Sequence, residues 1–179
     1  MRPFIVVFLL GWLSVMPAFG ATPASYEVEV LVFETRLPEL EGSELWTRVP
    51  PPNLTEVATP AEASPTEDFA AFAEALRGDN RFRVLLHRRW LQNPEPRSNA
   101  TPVQLLTWDE ELGGTLTFYL SRFLHVELNL LFQPLLGAIG GDYAPSYLIS
   151  EERRIRSNEL HYFDHPKFGV LLRVSPVKG

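Results

Sequence analysis

Apolar and polar residues alternate in several stretches of this chain, and that alternation is the first guide to its fold. Tyr26, Val28, Val30 and Val32 interleave with Glu27, Glu29, Leu31 and Phe33, a period of two that predicts a strand. Its second face turns apolar at Leu31 and Phe33, so the strand is expected to be central at its C-terminal end. The period then changes. Asp68, Phe69, Phe72, Ala73 and Leu76 fall at helical spacing, with Thr66 or Ser64 as cap, acids in the first turn and Gly78 as stop, which predicts a helix over 66–77. Strand alternation returns at 81–90 through Phe82, Val84 and Leu86 and ends before Pro94 and Pro96. Residues 102–106 (PVQLL) read as a short edge strand.

The longest alternating run is Thr115 to Leu131, behind a turn expected at Gly113-Gly114. Its even positions, Leu116, Phe118, Leu120, Leu124, Val126, Leu128 and Leu130, are apolar except for Arg122. One register therefore holds throughout, as in one long bent strand or two strands broken near Ser121-Arg122, with the even face in the core. Gly137 to Gly141 reads as a flexible loop, Tyr147 to Arg156 as a strand, and Phe168 to Val174 as the last strand. Between these two, a dense polar and aromatic segment runs from Arg153 to His165 and breaks at Pro166. The expected class is α+β, a mostly antiparallel sheet with one or two helices on one face. The β-α-β start followed by more strands suggests a ferredoxin-like core with extra strands.

Two segments depart from this pattern. Residues 1–20 begin with a positive Arg2, continue through the apolar Phe4 to Val15 and end in Ala18-Phe19-Gly20, the pattern of a signal peptide cleaved after Gly20. Residues 36–65 carry Pro38, Pro50-Pro51-Pro52, Pro60 and Pro65, which forbid a continuous helix or strand; a long irregular excursion, anchored by Trp46, is expected there. Residues 21–179 are thus read as a single domain with a proline-rich insertion.

The chain has 16 Lys and Arg against 22 Asp and Glu, a net charge of −6, and loss of Arg2 with the leader makes the remainder one unit more negative. Nucleic acid and anionic lipid are held largely through Lys and Arg on phosphates, so neither is an expected partner. Cysteine is absent, which leaves no disulfides and makes the hydrophobic core the source of stability. No stable membrane anchor and no cofactor are expected.

Several groupings carry potential chemistry. His161 and His165 stand four apart with Glu159 and Asp164 nearby, but Pro166 disfavours the helix that would bring both imidazoles to one metal, and a capped turn with packed Tyr162 and Phe163 is the simpler reading. Ser121, His125 and Glu127 share a strand face, without the sharp Gly-x-Ser-x-Gly turn that exposes a nucleophile. Asp109-Glu110-Glu111 and Glu151-Glu152 offer carboxylate pairs for glycoside cleavage, the former in a turn that reads as solvated. Better material exists for binding. Tyr119, Phe123 and His125 share one strand face, and Arg122, Arg153, Arg154, Arg156, Tyr162 and Trp90 lie on neighbouring segments. Aromatic faces stack on sugars, and the arginine fork matches carboxylates. Tyr119, Arg122, Phe123, His125, Arg153, Arg154 and Tyr162 are accordingly the candidate ligand-binding residues. The competing expectation pairs Arg153, Arg154 and Arg156 with Glu27, Glu29 or Glu127 across strands.

Three stretches resemble the CsiV family, periplasmic proteins of Gram-negative bacteria described as peptidoglycan-binding. They are EERRIRSNELHYFDHPKFGVLLRVSPV at 151–177, YEVEVLVFE at 26–34 and LTFYLSRFLHVELNL at 116–130, with the Trp90-Leu91-Gln92 neighbourhood beside them. The resemblance implies a periplasmic protein that contacts peptidoglycan and acts in cell-wall or cell-shape maintenance without catalysis. It points to no particular binding residue. Two other readings stay open: an envelope adaptor that engages a cell-wall synthesis protein, and a small cell-wall hydrolase.

Overall fold

The structure, a computed structural model, describes residues 25–37, 55–134 and 146–177. The leader at 1–20, Trp46, the triple proline and the Gly137–Gly141 loop lie outside the described residues. Eight strands and one helix occur in the order β1 Tyr26–Thr35, α1 Glu67–Arg77, β2 Phe82–Gln92, β3 Val103–Leu106, β4 Leu112–Leu120, β5 Leu124–Phe132, β6 Tyr147–Ile155, β7 Leu160–His165 and β8 Phe168–Pro176. They form two four-stranded antiparallel sheets, ordered β2-β1-β8-β7 and β3-β4-β5-β6.

The antiparallel expectation holds, with one helix. The ferredoxin-like arrangement does not form. There the strands flanking a helix run parallel, whereas β1 and β2 are antiparallel neighbours. The alternating sequence defines each strand's buried face, and both sheets turn their apolar face toward a shared core. Val28, Val30, Val32, Trp90, Val170 and Leu172 from the first sheet meet Leu116, Phe118, Val126, Leu128 and Ile149 from the second. Tyr26 meets Phe118 edge-on at 5.3 Å between ring centres, and Phe132 meets Phe168 at 5.6 Å. At one end Arg83 ties the sheets together, with Nε 2.7 Å from Glu34 and Nη2 2.6 Å from the buried Glu111. Glu111 therefore does not belong to the solvated turn that its sequence suggests.

β1 is central, as its doubly apolar end requires, because α1 covers the outer face of the first sheet. Phe69 and Ala73 of the helix pack on Leu31, with Leu76, Val84 and Leu171 at the margin. Thr66 caps α1, and its amide and hydroxyl both donate to the buried carboxylate of Glu29, at 2.9 and 2.6 Å. Glu29 also meets His87 Nε2 at 2.9 Å, while Arg173 bonds Thr66 Oγ1 and Asp68 at 2.8 and 2.9 Å.

In the second sheet, β4 and β5 form the broken version of the long alternating run. Leu120 pairs with Leu124 around the three residues 121–123. Partners in this hairpin have even-numbered sums, so even positions stay on one face through the turn. Gly113 and Gly114 are strand residues of β4 and not a turn; the chain reverses earlier, at 107–111, where Glu110 takes a left-handed φ of 59°. At the open edge between β2 and β3, Ala58 pairs with Val103 and Glu62 with Trp90, so the described part of the proline-rich excursion bridges the two sheets.

Candidate functional site

The outer face of the second sheet carries the side chains that chemistry would use. The register of β4, β5 and β6 sets Tyr119, His125 and Arg154 side by side in one row, with Thr117, Glu127 and Glu152 in the next and Thr115, Asn129 and Ser150 in the third. Tyr119 and His125 stack with ring centres 5.0 Å apart and 8° between planes. The β4–β5 turn then projects Phe123, half-exposed, beyond the end of this row. The Arg154 guanidinium lies 3.4 Å from the centre of the Phe123 ring, and that of Arg122 lies 5.5 Å from it. Five of the candidate residues thus meet at one end of the sheet: Arg122, Phe123, His125 and Arg154 reach the surface, while Tyr119, 3 % exposed, lies buried beneath His125 and Arg97.

Arg153 and Tyr162 do not join it. Arg153 neighbours Arg154 in sequence and so faces the opposite side of β6. There it sits 4.4 Å over the Phe163 ring, bonds the Tyr162 carbonyl at 2.7 Å and pairs with Glu151, fastening β6 to β7. Tyr162 stands on the outer face of the first sheet, 44 % exposed, stacked on Phe33 and donating to Asp164 at 2.6 Å. Burial first, then that acceptor, pushes its hydroxyl pKa above the ordinary tyrosine value. With Phe33, Phe72, Ala75, Leu76 and Leu171 it lines an apolar groove of about 360 Å³. Trp90 is fully buried and belongs to the core.

The expected pairing of Arg153, Arg154 and Arg156 with Glu27, Glu29 or Glu127 is not what forms. Those acids take Arg89, His87 and Arg97 as partners, while Arg153 and Arg156 take Glu151 and Glu159. Among the described residues every other arginine has an acidic partner, and only Arg122 and Arg154 have neither an ion pair nor a side-chain hydrogen bond.

A second feature of this face is Arg97, which sequence reasoning did not single out. It comes from the 93–102 loop, held beside β4 by the Leu120 amide on the Glu95 carbonyl at 2.8 Å. Its guanidinium lies over the Tyr119 ring at 5.3 Å and meets Glu152 at 2.6 Å and Glu127 at 3.3 Å, while the Tyr119 hydroxyl also donates to Glu152. Glu127 and Glu152 are directly opposite one another across β5 and β6, where two like charges repel, and Arg97 offsets that repulsion. Bonding from Tyr119 and then from Arg97 holds the Glu152 carboxyl below the usual glutamate range. A carboxylate with a lowered pKa stabilises the fold above its ordinary pKa, and that contribution is lost as pH falls through the lower folded value. The 93–102 loop should therefore stay fastened through the usual glutamate titration range and loosen only below it. In Glu152→Gln this acid-dependent loosening should diminish, since only the longer Glu127 contact to Arg97 remains, as read by amide exchange of residues 95–99 between pH 6 and 3.

The other groupings stay dispersed. His161 and His165 share a face of β7, but four residues of strand separate them by about 13 Å. His165 Nδ1 accepts from the Lys167 amide at 3.1 Å, which caps the turn into β8. Among the described residues no group of three or more His, Asp or Glu side chains gathers as a metal site requires. Ser121 Oγ lies 3.4 Å from His125 Nδ1, yet the same nitrogen is 3.0 Å from the Phe123 carbonyl, and Glu127 is bonded to Arg97 and Asn129. The Ser-His-Glu set is therefore not aligned for proton relay. At the far end of the second sheet Trp108 is 95 % exposed on the β3–β4 turn, an aromatic that strand alternation had no means of flagging.

The architecture is a pair of packed antiparallel sheets bearing an aromatic and basic patch on one outer face. Residues 4–177 match the family model described as "Peptidoglycan-binding protein, CsiV", and the chain belongs to that family. No curated protein and no solved structure matches it. Among the described residues no helix is long and apolar enough to cross a membrane.

Proposed function

We propose that this chain is a non-catalytic periplasmic protein that binds peptidoglycan through the outer face of its second sheet, in the service of cell-wall or cell-shape maintenance. Membership of a family named for peptidoglycan binding supports the ligand and an envelope location. Residues 1–20 would be the leader that delivers residues 21–179 there as one domain. The observation that carries the choice of surface is the pair of guanidiniums without an ion pair among the described residues, Arg122 and Arg154, around the exposed Phe123 and beside His125, which covers the buried Tyr119 ring. Aromatic faces suit sugar C–H bonds, and free guanidiniums suit carboxylates; peptidoglycan offers both. The pairing of Glu127 and Glu152 with Arg97, and the direction of the Glu152 shift, favour binding over hydrolysis at this face. A glycosidase needs one carboxyl held protonated by a raised pKa, whereas Glu152 is shifted the other way.

Purified residues 21–179 should sediment saturably with insoluble sacculi and release no muropeptides. Arg122→Ala combined with Arg154→Ala should weaken sedimentation while leaving melting almost unchanged. Exposed cation–π contacts contribute only about 0.5–1 kcal/mol each. Undiminished sedimentation by the folded double variant would remove this face as the site. The apolar groove under Tyr162 favours a second reading, an envelope adaptor that engages a cell-wall synthesis protein. In that case sedimentation would require added envelope extract.

A further inference from the structure

The patch itself says which part of its ligand it reads. Arg122 and Arg154 approach the same phenyl ring, at 5.5 and 3.4 Å, so their two positive charges are neighbours. Among the described residues neither has an acid in contact, although the chain as a whole has an excess of acids and every other described arginine has an acidic partner. The carboxylates in the next row of the same face, Glu127 and Glu152, are held by Arg97, and Tyr119 adds a further bond to Glu152. Arg97 occupies both acids and offsets one of their two charges, so Arg122 and Arg154 give this end of the sheet a net positive charge with neither guanidinium ion-paired among the described residues. Two adjacent guanidiniums without a counter-charge repel each other and are stabilised by an anion placed between them. Stacking on Phe123 fixes at least one fork in orientation, so its N–H groups are presented edge-on and less side-chain freedom is lost on binding.

We infer that the Arg122–Arg154 pair binds the free carboxylates of peptidoglycan stem peptides, and that the glycan is held only secondarily, along the accessible aromatic edge at Phe123 and His125. This rests on the reading of the patch as the peptidoglycan contact. Uncharged sugar hydroxyls are bonded well by Asn, Asp and Gln and make no use of two bare cations. Carboxylates use both forks, and in peptidoglycan they are carried by the peptide.

Three soluble probes separate these contributions: a disaccharide-tetrapeptide with free carboxylates, the same fragment with its carboxylates converted to amides, and an N-acetylglucosamine oligomer. Titration calorimetry on residues 21–179 should give binding of the free acid, weakening of about tenfold or more on amidation, and little binding of the sugar oligomer. In Arg122→Gln with Arg154→Gln, whose fold is checked by thermal melting, the acid and amide forms should bind alike. Equal affinity of wild type for acid and amide would overturn the carboxylate assignment while leaving peptidoglycan binding intact. An equal loss on amidation in the double variant would move the carboxylate contact elsewhere. If wild type neither binds the fragment nor sediments with sacculi, the assignment falls together with the reading beneath it.

Discussion

Gly114→Ala is expected to cost about 4 kcal/mol or more and to leave much of the protein insoluble. A Cβ built at Gly114 would lie 2.0 Å from the Asn129 carbonyl oxygen and 2.9 Å from the Leu130 Cα, both backbone atoms of the paired strand β5. Rotation of a side chain cannot relieve such a clash, so the β4–β5 ladder itself must open. The φ of +155° adds strain for any residue with a Cβ. Overpacking alone costs about 1–3 kcal/mol and an unfavourable backbone a similar amount. Together these take a large part of a typical stability of about 5–15 kcal/mol. The adjacent Gly113→Ala is the control. Its Cβ would meet nothing closer than the Leu106 side chain at 3.5 Å, so the change should stay within about 1 kcal/mol. Urea unfolding of the two variants measures the difference directly, and equal destabilisation would show that β4 and β5 do not approach as described.

Glu29→Ala should be the most damaging change of a single charged side chain, at about 3 kcal/mol. Glu29 is 1 % exposed and accepts from the Thr66 amide and hydroxyl, with His87 on the same carboxylate. Its removal strands the Thr66 amide and disturbs the residue that caps α1. Each hydrogen bond to a charged group contributes about 1.5–3 kcal/mol, and a lost cap about 1 kcal/mol. Arg173 keeps Asp68 and so limits the damage. Glu29→Gln should cost less, since an amide still fills the space and accepts one bond. Because the lesion falls on the helix anchor, amide exchange of Ala70 to Leu76 should accelerate more than that of β5. Uniform acceleration would mean that Glu29 does not act through α1.

These two positions also show where the sequence is legible and where it is not. The period of two in β1 and β5 and the helical spacing at 66–77 reveal which faces are buried, because burial acts on each strand or helix locally. Alternation does not reveal which strands are neighbours, so two sheets look like one, and Gly113-Gly114 looks like a turn when it is a close backbone approach. Glu29 reads as an ordinary outward acid because its partner Thr66 lies 37 residues away. β7 was missed as a strand because His161 and His165 occupy its inward positions beside Phe163 and mask the apolar alternation. For the site, the shared face of Tyr119, Phe123 and His125 was legible from spacing, as were the arginines near it. That Arg154 is exposed while Arg153 fastens β6 to β7 follows from strand parity together with the position of Phe163. Arg97 and the separation of Tyr162 from the patch depend on loop path and sheet order, which single-sequence periodicity does not carry.

On the proposed function, peptidoglycan is met on the outer face of the second sheet at its β4–β5 end. The most direct test is a map of amide and side-chain chemical-shift changes in residues 21–179 on titration with a soluble disaccharide-tetrapeptide. The largest changes are expected at Tyr119, Arg122, Phe123, His125 and Arg154, with Phe33, Phe72 and Leu171 unmoved. Changes concentrated around the Phe33–Phe72–Tyr162 groove, with the β4–β5 turn silent, would contradict that placement.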